Sequence, residues 1–280
     1  MDHELLLNAV NEEVADGSVL RLIRQILKSG IVLPTGARER TEQGTPQGGP
    51  VSPLLANIYL HQFDMVMLAK GHCPLRYADD CLLFAKSQQE AEQALASARQ
   101  VLEQDWRLTL HPTKTQVVSL DQGFDFLGFR YFRDQKGKLH KIVRTKSIKR
   151  FRDALRERTP RHPQQRRPKV KRMTLNRLRR NPRVQTMIHE VNLYLRGWHW
   201  YFKFVRTSWK IFEGLDTFVR RRVRSAIAGR YAVGRWHQTL DNEMLKALGL
   251  LSLADLQQFH RLGLLQAPHS SCNRGGSRMR

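Results

Sequence analysis

Asp79 and Asp80 stand side by side in the stretch LRYADDCLLFAK. Adjacent carboxylates repel one another unless a positive charge sits beside them. A divalent cation is the usual remedy. Aspartate oxygens are the hard donors that Mg²⁺ prefers, and Mg²⁺ commonly takes one or two protein carboxylates together with substrate phosphates. Paired aspartates are also frequent in ordinary solvated turns, because Asp tolerates turn backbone. The flanks decide what must position these two. Leu75 and Tyr77 precede them, and Leu82, Leu83 and Phe84 follow. Apolar chain on both sides predicts a β-hairpin with the acids at its tip.

Charge along the chain is uneven. Residues 1–129 carry 11 Lys and Arg against 16 Asp and Glu, whereas residues 130–280 carry 37 against 9. The whole excess of +23 therefore lies in the second half. Such a surface calls for a polyanion, because neutralising phosphates releases counterions and drives nucleic-acid binding. No amphipathic anchor, signal peptide or apolar run of about 20 residues stands out, so no membrane partner is expected. Cys73, Cys81 and Cys272 have neither metal-ligand nor disulfide spacing. A reduced interior is expected: the cytoplasm, of bacterial type, or else an organelle. With 41% hydrophobic residues, the chain has enough apolar content for a packed core.

The elements follow from periodicity. Asp2 is placed to cap a first helix, and Val19, Leu20, Ile23, Ile26 and Leu27 mark a second, ended by Gly30. Ser52 and Pro53 open a third, which runs to about Lys70. Ser87 and Glu90 form a capping box ahead of a fourth, with Ala91, Ala94, Leu95, Ala98, Val101 and Leu102 as its buried stripe. Strands are predicted over 108–110, 116–120, 124–132 and 139–143. From Ser147 the chain reads as basic helices with a Pro/Arg-rich break over 160–168. The predicted fold class is α+β. The expected divisions are 1–145, 146–265 and a basic flexible tail over 266–280.

Four motifs occur in order: GTPQGGPVSPLLANIYL (44–60), RYADD (76–80), LHPTKTQVV (110–118) and FDFLGFRY (124–131). Together they resemble the reverse transcriptases encoded by group II introns. The basic segment with NLYLRGWHWYF (192–202) resembles the thumb or maturase region, domain X, of that family. A lone YADD is a weak match, but four ordered motifs are a strong one. The resemblance implies a right-hand polymerase palm, an antiparallel sheet with helices, followed by an all-α thumb/maturase domain. It also implies RNA-directed DNA polymerase activity and intron RNA binding in aid of splicing. The implied partners are intron RNA, an RNA template/DNA primer duplex and deoxynucleoside triphosphates.

The resemblance assigns roles residue by residue. Asp79 is implied as a direct ligand of a two-metal Mg²⁺ site, with Asp80 in support. Tyr77 and Ala78 are implied to lie near the primer end and nucleotide. Gln47, Gly48 and Gly49 are implied to border nucleotide and template, since glycines let backbone approach closely. Lys114 would protonate or screen the leaving pyrophosphate. Phe126, Leu127, Gly128 and Phe129 would form a primer grip. Without the family, PQGG reads as a turn, Lys114 as a solvated lysine and FLGF as core strand.

In the basic half, residues 130–180 hold 21 Lys and Arg against 3 acids. Arg196, Lys203 and Arg206, interleaved with aromatic rings, are candidate RNA contacts. Trp198, Tyr201 and Phe202 have core spacing. Arg220, Arg221, Arg222 and Arg224 are expected to meet phosphate, since four arginines this close rarely all pair internally.

The chain departs from the family in one respect. The family's third metal-binding Asp lies upstream of a segment that Met1–Leu6 resembles, so this ligand and the fingers are expected to be missing. On that basis the chain alone is expected to be inactive or nearly so, or to be completed by an N-terminal fragment in trans. The alternative is a maturase-like RNA-binding splicing factor without polymerase activity. A DNA-binding regulator fits poorly, because no helix-turn-helix unit stands out and the acid pair would have no purpose there.

Overall fold

Helix α3 (Ser52–Ala69) is the spine of the first of two compact units, Met1–Ser119 and Leu120–Arg280. The computed structural model describes residues 1–32, 38–39, 43–45, 48–160, 174–205, 208–228 and 240–263. Leu55, Tyr59, Phe63 and Met67 recur every four residues on α3 and are all buried. Spacing of one helical turn stacks them on one face. The upper part of that face packs with Leu6, Leu7 and Val10 of α1 (His3–Glu13) and Leu27 of α2 (Gly17–Lys28). The lower part packs with Ala98 of α4 (Gln88–Arg99) and with Val101. Val101 lies in the π-helical turn Gln100–Asp105 that extends α4.

The predicted caps form. Asp2 Oδ1 accepts the N–H groups of Glu4 and Leu5 at 2.9 and 3.1 Å, and Oδ2 takes the Arg107 guanidinium at 2.8 Å. These bonds, that from Leu5 foremost, hold the Asp2 carboxyl below its ordinary value. Ser87 Oγ accepts Glu90 N–H at 3.2 Å. The Glu90 carboxylate reaches back to Lys86 N–H at 2.8 Å. For α3, Val51 rather than Ser52 occupies the cap position.

Three expectations change. Residues 108–110 and 116–120 form no strands. The Leu108 N–H bonds the Leu102 carbonyl at 2.7 Å, closing the π turn instead of joining a ladder. The stretch 124–132 is a hairpin rather than one strand. β5 (Phe124–Phe126) pairs antiparallel with β6 (Phe129–Arg133), and β6 with β7 (Leu139–Val143). Earlier in the chain, β1 (Ile31–Val32) pairs with β2 (Arg38–Glu39), and β3 (Pro74–Tyr77) with β4 (Asp80–Leu83). Finally, the units divide between Ser119 and Leu120, not near residue 145. The reason is packing: Phe129 and Val143 share one core with the helices that follow.

Those helices are α5 (Thr145–Arg158), α6 (Leu175–Arg179), α7 (Pro182–Phe202), α8 (Ser208–Ala228), α9 (Asn242–Ala247) and α10 (Leu253–Arg261). Phe151, Leu195, Phe212 and Leu253 are fully buried among them. The Pro/Arg-rich break and the basic tail fall mostly or wholly outside the described residues. Buried polar side chains close the helix ends. Asp216 accepts Ser252 Oγ–H and the N–H groups of Leu253 and Ala254 at 2.8, 2.8 and 3.0 Å, at the start of α10. Burial raises its carboxyl pKa, and these bonds work against that rise. Arg222 donates to the Thr159 carbonyl at 2.5 Å, to Thr159 Oγ1 at 3.1 Å and to the Arg156 carbonyl at 3.3 Å. A cation at a helix C-terminus satisfies carbonyls that have no partner within the helix.

Arg222→Ala leaves these acceptors unpaired beside a fully buried Thr159. It is expected to destabilise the second unit by about 2–3 kcal/mol. Arg221→Ala, next door but exposed, should change stability by less than about 0.5 kcal/mol. Chemical denaturation followed by circular dichroism measures both.

Candidate functional site

The β3–β4 hairpin pairs Pro74 with Leu83, Leu75 with Leu82, Arg76 with Cys81 and Tyr77 with Asp80. Ala78 and Asp79 form the two-residue loop, so the predicted acid-tipped hairpin is present. Alternation along a strand sends neighbouring side chains to opposite faces. One face presents Leu75, Tyr77 and Asp80, all exposed, with Tyr77 at 65%. The other carries Arg76 toward α3.

Ala78 has φ of +54°. That conformation is natural for glycine and costs an L-residue roughly 1–2 kcal/mol. The antiparallel ladder closed by a two-residue loop calls for it at this position, and Arg76 adds a bond that holds the tip. Its Nε lies 2.9 Å from both Asp64 oxygens, and its Nη2 is 2.6 Å from Oδ2. Its Nη1 donates to Asn57 Oδ1 and to the Ala78 carbonyl, each at 3.1 Å. Asn57 and Asp64 are seven residues apart, two turns along one face of α3. The Arg76 and Asp64 side chains are only 12% and 18% exposed. One guanidinium thus ties the tip backbone to the unit's central helix.

Asp79 and Asp80 are both exposed, and their oxygens are open to ligand. Among the described residues, no group of three or more His, Cys, Asp or Glu converges to hold a metal. The donor set fits a hard divalent cation that brings phosphate and water ligands of its own. It is not a preformed protein cage.

The other predicted residues are placed as follows. Gln47 and Arg206 lie outside the described residues. Gly48 has φ of +83°, and a Cβ there would meet nothing within 4 Å, so its surface is open just before α3. Lys114 is exposed in a turn where the Lys114 and Thr115 N–H groups bond the His111 carbonyl, not between strands. Leu127 and Gly128 make the β5–β6 turn with φ of +48° and +80°. Phe126 and Phe129 beside them are buried. A primer grip here would need room for nucleic-acid backbone beside Gly128. The chain itself takes it: a Cβ there would lie 3.3 Å from Ser147 Oγ and 3.5 Å from the Phe202 ring.

The basic residues divide. Arg196 and Arg221 are exposed, and Arg220 is half-buried with a bond to Thr217 Oγ1 at 3.3 Å. Arg222 and Arg224 are buried, contrary to expectation. Arg224 donates to the Leu240 carbonyl at 2.5 Å and to Asn242 Oδ1 at 2.7 Å. Lys203 is also buried, its ammonium 3.0 Å from the Trp200 ring centre. Trp198 and Phe202 are core, as their spacing predicts, whereas Tyr201 is half exposed and donates to the Leu127 carbonyl at 2.8 Å. Arg76, Asn57 and Asp64 went unnoticed in the sequence. The period-2 alternation that faces Arg76 away from Tyr77 was the available signal.

Arg76→Ala leaves Asp64 half hidden and unpaired and releases Ala78. It is expected to cost the first unit about 1–3 kcal/mol. Amide hydrogen exchange should quicken at Ala78, Asp79 and Asp80 while α7 stays unchanged. Unaltered exchange at the tip would remove Arg76 from this role.

The family described as "Reverse transcriptase (RNA-dependent DNA polymerase)" matches residues 1–131. That described as "Group II intron, maturase-specific domain" matches residues 164–243. Protein YkfC of Escherichia coli (strain K12) is 29% identical over a region covering 47% of this chain and 43% of its own length. Group II intron-encoded protein LtrA of Lactococcus lactis subsp. cremoris is 44% identical over 68 residues, 24% of this chain and 11% of its own. The Putative COX1/OXI3 intron 2 protein of Saccharomyces cerevisiae is 37% identical over 62 residues, 22% of this chain and 7% of its own. The chain thus spans less than half the length of these curated relatives. A reverse transcriptase segment followed by a maturase-specific segment, in the order the motifs imply, makes this chain a member of the group II intron reverse transcriptase and maturase family.

Proposed function

We propose that the chain supplies the palm hairpin and the thumb/maturase part of an RNA-directed DNA polymerase that also binds intron RNA and assists splicing. One observation carries this reading. Asp79 and Asp80 project from a hairpin tip whose backbone is fixed by Arg76, inside the segment matched by the reverse transcriptase family.

In nucleotidyl transfer a 3′ hydroxyl attacks the α-phosphorus of a deoxynucleoside triphosphate, and pyrophosphate leaves. Bound Mg²⁺ ions, two in number by family analogy, would offset the charge that builds on the phosphoryl oxygens. Asp79 and Asp80 would hold them. Tyr77, exposed on the same face as Asp80, would border the primer end, with Ala78 turning the chain between them. The open surface at Gly48, with Gln47 and Gly49, would border nucleotide and template. Lys114, solvated and cationic, would screen the departing pyrophosphate. Arg196, Arg220 and Arg221 remain as RNA contacts. Arg222, Arg224 and Lys203 serve the fold instead. We take the cytoplasm, or else an organelle, as the compartment in which such substrates would be met.

A second reading, a splicing factor without synthesis, is favoured by one observation. Among the described residues, no third metal-ligating side chain joins the two aspartates. Purified chain, Mg²⁺, an RNA template and a DNA primer separate the readings. The chain alone is expected to extend the primer feebly or not at all. Adding a fragment that bears a further carboxylate, from the upstream region of a relative, should restore extension. In that mixture Asp79→Asn should lower extension by about a hundredfold or more, as loss of a metal ligand worth several kcal/mol requires. RNA affinity should stay unchanged. Restored extension that is indifferent to Asp79→Asn would sink the polymerase assignment. No extension in any mixture, with preference for intron RNA over unrelated RNA, would leave the splicing factor.

A further inference from the structure

Helices α5 and α8 meet along a cleft of about 320 Å³ lined by Arg152, Arg156, Gly214, Thr217, Phe218 and Arg221. The α8 residues fall at positions i, i+3, i+4 and i+7, one helical face, and the two arginines of α5 are one turn apart. Phe218 forms the floor and is only 9% exposed. The guanidinium carbons of Arg152, Arg156 and Arg221 lie 5.6, 5.6 and 5.5 Å from the centre of its ring. No two of them are therefore more than about 11 Å apart, close to the screening length at physiological salt.

Cation–π attraction explains why one guanidinium would rest on a phenyl face. It does not explain three, because their mutual repulsion grows with each addition. No carboxylate lines the cleft. Asp153 pairs with Arg156 from within α5, and two positive charges remain without a carboxylate partner among the described residues. Gly214 adds room, since a Cβ there would meet nothing within 4 Å. The arrangement is concave, cationic and floored by an aromatic ring, and its three arginine side chains are not those that close helix ends.

We propose that this cleft binds a backbone phosphate of RNA, with Arg152, Arg156 and Arg221 donating to its oxygens. The inference rests on the RNA-binding reading above and adds a site to it. Guanidinium forks match phosphate geometry and stay charged at any physiological pH.

The test measures binding of a fluorescent RNA stem-loop to the full chain across a salt series. Gly214→Glu puts a carboxylate into the cleft while improving helix propensity, so folding should not suffer. It should weaken binding roughly five- to twentyfold and reduce the slope of log affinity against log salt by about one. Arg152→Ala with Arg221→Ala should do the same, and Arg221→Lys should retain most of the affinity. Lys28→Glu, a change of two charges on α2 that matches the double variant and is twice that of Gly214→Glu, should stay within about twofold. If Gly214→Glu and the double variant bind like Lys28→Glu, the cleft site is wrong although RNA binding stands. If the unaltered chain does not bind the stem-loop, both readings fall. Polyglutamate of matched charge competing as well as RNA would mark a carboxylate-binding cleft and overturn the phosphate assignment.

Discussion

The Arg76 guanidinium is the constraint on which the acid hairpin depends. A two-stranded hairpin by itself is marginal in water. This one also holds an alanine at positive φ beside two adjacent acids. One planar fork reaches Asp64, Asn57 and the Ala78 carbonyl together. It couples the tip to α3, the helix on which the first unit's other elements pack. Arginine suits this work because its donors are fixed in one plane and its charge is permanent. A lysine would bring the charge without the fork.

In the second unit arginine serves two purposes, and only geometry separates them. Arg222 closes the end of α5, and Arg179 does the same for α9 through the Ala247 carbonyl at 2.9 Å. There the cation replaces water on carbonyls that a helix leaves unpaired. Arg152, Arg156 and Arg221 instead gather on Phe218 and face solvent. The charge excess of the second half is therefore not all available to a polyanion. Part of it is structural, which lowers the number of phosphates that the surface can neutralise.

Glycine and aromatic residues show a similar reassignment. Gly128 looks like a place for a ligand to approach. Instead, its carbonyl accepts Arg144 N–H and Ser147 Oγ–H at 3.0 Å each, and the Phe202 ring fills the space beside it. The β5–β6 turn thus becomes the joint between sheet and helices. This packing also explains why the units part before β5 rather than after β7.

Local signals decided a good deal. Caps at Asp2 and Ser87, the Ala94, Ala98 and Val101 stripe of α4 and its extension, the acid-tipped hairpin and the helices of the basic half were all legible, because each rests on neighbours within one or two turns. The ordered motifs made the family legible too. Tertiary structure decided what depends on distant partners: Arg76 with Asp64, the burial of Arg222 and Arg224, the loss of strands at 108–110 and 116–120, and the gathering of three arginines on Phe218. A strand forms only where another chain segment accepts its hydrogen bonds, and an arginine is surface or cap according to which carbonyls fold beneath it. Composition and spacing carry neither fact, because both are set by contacts between residues far apart in the chain.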